Sequence, residues 1–439
     1  MSNQPQSRRR TVITGIGWVT PLGHEIETVW KRLLAGDSGV AKTTHFDAST
    51  FPSQFSSQVK DFDFAALLGD ELAKRHETAS LNSKFALVAA KNAWQSAGLN
   101  GFESLDTTRV GVYLGGGEGP LDFESVAAAA IGGWETEDGG SLNSVKWAEV
   151  ARERLTHMME LEQDPNLAAS HVAVLLGVEG PSFNTLTACA ASTQAIGEAT
   201  SIIRRGDADV MISGGAHSMI HPLGVTGFNR LTALSTRNDS VQTASRPFDR
   251  TRDGFVLGEG AAIVILEELE HARARGAKIL AEVAGYGSTA DAFRITDIHD
   301  QGRGAVAAMK LAVEDAGLQP SDIDYINAHG TSTEENDKIE TLAIRTLFGD
   351  AKSAPPVSSI KSMMGHLIAA AGATELITCV LALRDGILPP TMNYQTPDPN
   401  CDLDYIPNEP RKADVKTALS NSFGFGGQND TLVIRKFEG

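Results

Sequence analysis

The chain has 439 residues, 41% of them hydrophobic and 21% charged, the balance of a globular protein with room for one large domain or two of ordinary size. A formal net charge of −17 argues against non-specific nucleic-acid binding, which needs a basic face, and no run approaches the roughly 20 apolar residues of a membrane span. Three cysteines without metal-type spacing, Cys189, Cys379 and Cys401, argue against disulfides and structural zinc and point to a reducing compartment, the cytosol.

Arg8, Arg9 and Arg10 precede a short apolar stretch broken by Gly15, Gly17 and Pro21, which reads as a strand entering a turn rather than as a signal peptide. Short β-branched or apolar runs predict strands at 11–13, 110–114, 210–212, 262–266, 280–283, 325–328 and 431–434. Helical spacing predicts helices over 83–97, 192–205, 304–316, 337–348 and 367–383. Such alternation implies a layered α/β fold. VITGIG at 12–17 echoes AEVAGYG at 281–287, both of the form V-x-G-x-G once Ile13 is matched to Val283. The echo suggests two halves of similar plan, 1–275 and 276–439, joined near Gly276.

The segment NTLTACAAS at 184–192 delivers Cys189 onto the first turn of a helix of small residues. There the macrodipole and unpaired backbone N–H groups favour a thiolate and can hold an oxyanion. Taken alone, Cys189 is equally a small buried hydrophobe. Two histidines stand downstream: His329 in NAHGTST at 327–333, and His366 closing SSIKSMMGH at 358–366. A lone histidine is more often a turn or core residue, and His366 could simply open a helix-packing interface. A nucleophilic cysteine nonetheless requires such partners.

Lys361 precedes His366 by five residues, at the expected end of a strand. Asp337 and Glu340 lie three apart at a helix start, a favourable place for carboxylates in itself, and either is a candidate ion-pair partner for Lys361. In NSFGFGG at 421–427 the glycines permit either close approach to a ligand or a tight structural turn. GGGEG at 115–119 lacks dinucleotide-binding spacing, and neither GxxxxGK[ST], GxSxG nor HExxH occurs.

Together these residues resemble the type I/II β-ketoacyl-acyl carrier protein synthases, most closely type II, condensing enzymes of the thiolase superfamily. The resemblance rests on TACAAS (187–192), RPFDRTRDGFVLGEGA (246–261), NAHGTST, IKSMMGH (360–366) and NSFGFGGQN (421–429), in that order over nearly the whole chain. It implies a five-layered α-β-α-β-α fold of two duplicated halves, a cytoplasmic homodimer, no metal or other cofactor, and acyl carrier protein as the partner bearing the phosphopantetheine-bound substrates. The implied reaction is the decarboxylative condensation of malonyl-carrier protein with an acyl group on Cys189, in fatty acid biosynthesis or in a specialised lipid, polyene or polyketide pathway.

The resemblance also implies residue roles. Cys189 is then the nucleophile, His329 and His366 stabilise the enolate, and Lys361 with Glu340 orders the site. Phe425 is the gate, its N–H completing an oxyanion hole with that of Cys189. Thr331, Thr333, Phe228 and Gly426 bind substrate, and Lys74, Arg75, Arg230 and Arg237 form a local basic patch for the acidic carrier protein. A thiolase would carry a second cysteine as base near the C-terminus, and a non-catalytic chain-length subunit would lack the nucleophile. Three departures bear on the rim and pocket: a long stretch at 119–166, Gln428 where Thr is usual, and Glu334-Glu335-Asn336 where the family usually begins with Pro.

Overall fold

The computed structural model describes residues 8–102, 104–117, 121–294 and 298–439. Ten strands form the principal hydrogen-bonded array: β1 (Thr11–Val19), β2 (Val110–Gly116), β3 (Ser182–Thr185), β4 (Val210–His217), β5 (Gly260–Glu268), β6 (Ala281–Ala290), β7 (Tyr325–Asn327), β8 (Val357–Ser358), β9 (Thr417–Gly424) and β10 (Gln428–Arg435). Their order is β8-β7-β9-β10-β6-β1-β5-β4-β2-β3. Read outward from the β6/β1 seam, each side runs first, fifth, fourth, second, third. The chain has therefore built one five-stranded plan twice.

The seam is a short antiparallel ladder, Thr11↔Val283, Val12↔Glu282 and Ile13↔Ala281, so the two echoing sequences are neighbours in space. Their glycines serve backbone contact. A Cβ on Gly15 or Gly17 would lie 2.2 Å from the Ala93 carbonyl oxygen or 2.3 Å from that of Ala89. On Gly285 or Gly287 it would lie 2.0 Å from the Ala312 oxygen or 2.1 Å from that of Ala308. Only glycine lets helix and strand backbones approach so closely.

Those carbonyls belong to α1 (Leu81–Ser96) and α3 (Arg303–Asp315), which cover the outer faces of the two halves, with α4 (Glu334–Phe348) packed on α3. Between the halves lie α2 (Ala191–Arg205) and α5 (Ala371–Asp385), each touching strands of both. This is the expected α-β-α-β-α layering. Residues of β1, β5 and α5 are buried almost without exception, since all have protein on both sides.

The two central helices share one way of starting. Each follows a 3₁₀ turn, Ala188–Ala190 or Ile368–Ala370, whose first residue has a left-handed backbone, φ +47° at Ala188 and +45° at Ile368. Non-glycine residues held there cost on the order of 1–3 kcal/mol, so the surrounding packing must enforce the turn. In this register Cys189 corresponds to Ala369. The duplication supplied two equivalent corners and only one thiol.

Several predicted boundaries move. The sequence signal omits β9, whose last half is residues 421–424, expected in a glycine turn, and the strand expected to end at Lys361 stops at Ser358, Lys361 itself opening the short helix Lys361–Met364. Only Phe425, Gly426 and Gly427 turn between β9 and β10, with φ +92° and +78° at the two glycines. The helix expected from residue 367 begins at Ala371 because the 3₁₀ turn precedes it. No helix among the described residues is long and apolar enough to cross a membrane.

Candidate active site

Cys189 is 4% exposed and lies in the 3₁₀ turn ahead of α2. Burial pushes its thiol up to about 11, opposed by the positive charge of Lys361 and by hydrogen bonds from the backbone N–H groups of Phe425 and of Cys189 itself. The expectation of a depressed thiol is thereby corrected: desolvation outweighs the helix end. The two N–H groups are nevertheless aimed at the sulfur. They converge because Gly424 has no side chain; a Cβ there would stand 2.9 Å from the Thr187 oxygen and 3.4 Å from the Cys189 nitrogen.

His366 follows Gly365, which has φ +70°, and is pinned by backbone bonds from its N–H to Val256 O, 2.7 Å, and to its O from Gly258 N–H, 2.9 Å. Its Nδ1 accepts from Ile368 N–H at 3.2 Å. A neutral ring accepting at Nδ1 carries its proton on Nε2, so Nε2 is a donor with no lone pair for a cation. His329 stands two residues beyond β7, its ring edge-on to His366 with centroids 5.3 Å apart. Burial first, then the charge of Lys361, drives both imidazoles well below their ordinary pKa and keeps them neutral. The Cys189 sulfur and one nitrogen of each ring lie within 4.8 Å of one another.

The pairing expected between Lys361 and Glu340 is not what the fold makes. Lys361 Nζ donates to Glu375, on α5, and to the His329 carbonyl at 2.6 Å. Glu340 instead accepts from the N–H groups of His329, 2.8 Å, and Gly330, 2.7 Å, and from Asn421 Nδ2 at 3.2 Å. Burial lifts Glu340 to about 7 despite the N–H groups of Gly330 and His329, and Glu375 to about 7 despite the Lys361 charge. Asp337 accepts from Phe248 N–H at 2.7 Å and Ser332 N–H at 3.2 Å and lies 3.5 Å from Arg252. The carboxylates thus hold loops, while the lysine's partner is a residue the motifs did not flag. Glu375 is the one charged residue in the apolar run 367–383, and that isolation was the available signal.

A cavity of about 410 Å³ opens onto Cys189, His329 and His366. Thr331 and Thr333 line it, their hydroxyls 2.8 Å apart, as do Phe425 and the α4 residues Glu334, Glu335 and Asn336. Phe425, at the β9–β10 turn, joins the apolar cluster around Cys189, and so does Phe228, whose ring meets Phe255 at 5.4 Å. Gly426 is exposed beside it, and a Cβ there would meet Gln428 Oε1 at 2.6 Å.

Of the basic residues, Arg230 ends the helix Pro222–Arg230 and directly precedes Leu231 and Thr232 of the cavity wall. Arg237 is tied to Thr251 O at 2.6 Å, and Lys74 and Arg75 are exposed on the last turn of the helix Asp70–Arg75. The long stretch 119–166 contains the helices Phe123–Gly133 and Ser144–Arg154, packed together; Glu118, Gly119 and Pro120 lie outside the described residues.

Comparison with known proteins agrees with this geometry. Residues 8–272 match the model of the β-ketoacyl synthase N-terminal domain and residues 280–395 that of its C-terminal domain. The chain is 43% identical to 3-oxoacyl-[acyl-carrier-protein] synthase 2 of Coxiella burnetii, over 98% of this chain and 99% of that protein. It is 41% identical to the protein of the same name from Staphylococcus aureus, again over 98% and 99%. Among solved structures it resembles, at 36% identity and a TM-score of 0.86, a type II PKS acyl-carrier protein complex with its ketosynthase bound to the hexaketide, covering 98% of this chain and all of that one. The chain belongs to the β-ketoacyl synthase family.

Proposed function

We propose that this protein is a 3-oxoacyl-[acyl-carrier-protein] synthase that elongates acyl chains in fatty acid biosynthesis. The observation that carries the reading is the meeting of Cys189, His329 and His366 within 4.8 Å in one buried site, with two backbone N–H groups at the sulfur.

Cys189 attacks the acyl thioester of the carrier protein; the new C–S bond forms as the pantetheine thiol leaves with the proton. The N–H groups of Cys189 and Phe425 hold the oxyanion of that step. Malonyl-carrier protein then enters, its bond to the carboxylate breaks, and carbon dioxide departs. The developing enolate oxygen is met by neutral imidazole donors, His366 through Nε2–H and His329 beside it. The enolate carbon attacks the acyl–Cys189 carbonyl, forming the C–C bond and expelling the thiolate, which yields the 3-oxoacyl product. Lys361 and Glu340 hold the His329 loop from opposite sides, its carbonyl and its N–H. The steps as written use only these side chains and the two thioesters, with no metal or other cofactor.

In this reading Thr331 and Thr333 hydrogen-bond the pantetheine arm, Phe425 gates entry on its glycine pivots, and Phe228 and Gly426 shape the acyl side. Arg230, Arg237, Lys74 and Arg75 receive the acidic carrier protein against an acidic global field. A homodimer is supported by β3, the edge of the array, where Phe183 is 50% exposed and Leu186, just past the strand, 53%, and by exposed Ile131, Trp134, Leu142 and Val145. Three free cysteines fit a cytoplasmic location, and the repeated strand order fits halves at 1–275 and 276–439.

The test is carbon dioxide release from malonyl-carrier protein by protein already acylated. Stoichiometric release with formation of a 3-oxoacyl-carrier protein, lost in His329→Ala and His366→Ala, is the expected result. Acylation without any condensation would overturn it.

A further inference from the structure

Among the described residues that line the cavity, three hold a buried polar atom without a hydrogen-bond partner: His366 Nε2, His329 Nδ1 and Asn336 Oδ1. Buried polar groups are almost always paired, because nothing else offsets their desolvation. For the two imidazoles the condensation reading supplies the missing partner, the substrate. Asn336, 6% exposed in the first turn of α4, stands in the same wall with no such partner assigned.

Its amide is held in one orientation. Nδ2 donates to Asp337 Oδ1 at 3.1 Å, and that oxygen also accepts from Ser332 N–H at 3.2 Å, while Asp337 Oδ2 takes Phe248 N–H at 2.7 Å. Arg252, also in the cavity wall, lies 3.5 Å from the same carboxylate and donates to the Thr333 oxygen at 3.1 Å and the Glu334 oxygen at 2.8 Å. An oxygen that accepts from its neighbours meets the NH₂ end of an amide, so the carbonyl end is the one left unmet. Ser332 is held at φ +71°, a left-handed backbone that this packing must enforce. The acceptor is thus fixed in place before any ligand arrives.

Its surroundings narrow what it can accept from. Glu334, Glu335 and Asp337 make the first turn of α4 acidic, which disfavours a phosphate there. Thr331 and Thr333, on the same wall, carry hydroxyls suited to an amide carbonyl, and Asn336 adds the complementary acceptor for an amide N–H. We propose that Asn336 binds the substrate arm, its Oδ1 accepting from one of the two amide N–H groups of pantetheine. The proposal rests on the condensation reading and adds a recognition residue to it, at a position where this chain departs from the family's usual sequence.

The experiment compares four carrier proteins as acyl donors to Cys189: one with the natural arm, two in which one or the other amide N–H is replaced by an ester oxygen, and one whose arm lacks its hydroxyl. Second-order rates of acylation are read by intact mass. Wild type is expected to use one ester arm about threefold to tenfold more slowly than the natural arm, the size of one neutral hydrogen bond. Asn336→Ala should lose the same factor with the natural arm and nothing further with that ester arm, a coupling that a purely structural role would not produce. Wild-type indifference to both ester arms, losses that multiply when the variant meets the ester arm, or coupling confined to the arm without its hydroxyl would overturn the proposal. If Asn336→Ala does not fold, Asn336→Leu, close in shape and without an acceptor, takes its place. Failure of the natural arm to acylate Cys189 in wild type would instead sink the condensation reading.

Discussion

Lys361 and Glu375 form a buried ion pair, 2% and 1% exposed, whose cation also holds the His329 carbonyl at 2.6 Å. One charge pair therefore links α5 to the loop that presents a candidate catalytic imidazole. Removing one member of a buried pair strands the other and typically costs about 3–5 kcal/mol. Glu375→Ala is expected to lose about that much in denaturant unfolding, and Glu375→Gln less. Both should slow malonyl decarboxylation more than acylation of Cys189, because only the former depends on His329. Equal slowing of the two half-reactions would argue against this division.

The thiol of Cys189, lifted to about 11 by burial, sets the pH response of the unliganded enzyme. Alkylation by iodoacetamide should rise roughly tenfold per pH unit from 7 to 9, without a plateau. A plateau near pH 7 would mean that the helix end and Lys361 outweigh desolvation after all.

Two buried groups near the site and the seam give stability slopes of opposite sign. His217, lowered to about 3 by burial, is neutral in the folded state while an unfolded histidine protonates near 6.5, so wild type loses stability as pH falls from about 6.5 toward 3. Asp430, raised to about 7 by burial, keeps its proton in the folded state while the unfolded group ionises near 3.8, so stability falls as pH rises from about 4 through 7. Relative to wild type, His217→Gln should gain stability toward acid and Asp430→Asn toward neutral pH. Each slope is bounded at about 1.4 kcal/mol per pH unit. Urea midpoints at pH 5, 6 and 7.5 measure both.

The seam glycines make a paired prediction. Gly15→Ala and Gly285→Ala each force a Cβ to within 2.2 Å or 2.0 Å of a helix carbonyl, so α1 or α3 must shift. Overpacking of this kind costs about 1–3 kcal/mol, and the duplicated geometry predicts similar losses at the two positions. A thermal melt in which only one variant is destabilised would show that the halves do not share this contact.

Much of this was legible in the chain. Gly15, Gly17, Gly285 and Gly287 announced the duplication because helix contact against a strand backbone tolerates no Cβ, and Cys189, His329 and His366 stood in motifs dense with small residues. What could not be read were pairings across long sequence separations. Glu340 satisfies backbone N–H groups and Glu375 takes the lysine, a choice made by where α4 and α5 land on the sheets. The acidity of Cys189 was misjudged for the same reason: the helix end is local, and the burial that opposes it is not. His217 follows an apolar strand with no motif around it, and only the packed structure shows its nitrogens unpaired.

The most direct measurement is intact-protein mass spectrometry after incubation with acyl-carrier proteins, with Cys189→Ala as control, followed by malonyl-carrier protein. The account predicts one acyl adduct per chain at Cys189, absent in the variant, and its discharge as a 3-oxoacyl-carrier protein when malonyl-carrier protein is added. An adduct that persists in Cys189→Ala, or one on Cys189 that malonyl-carrier protein does not discharge, would contradict it.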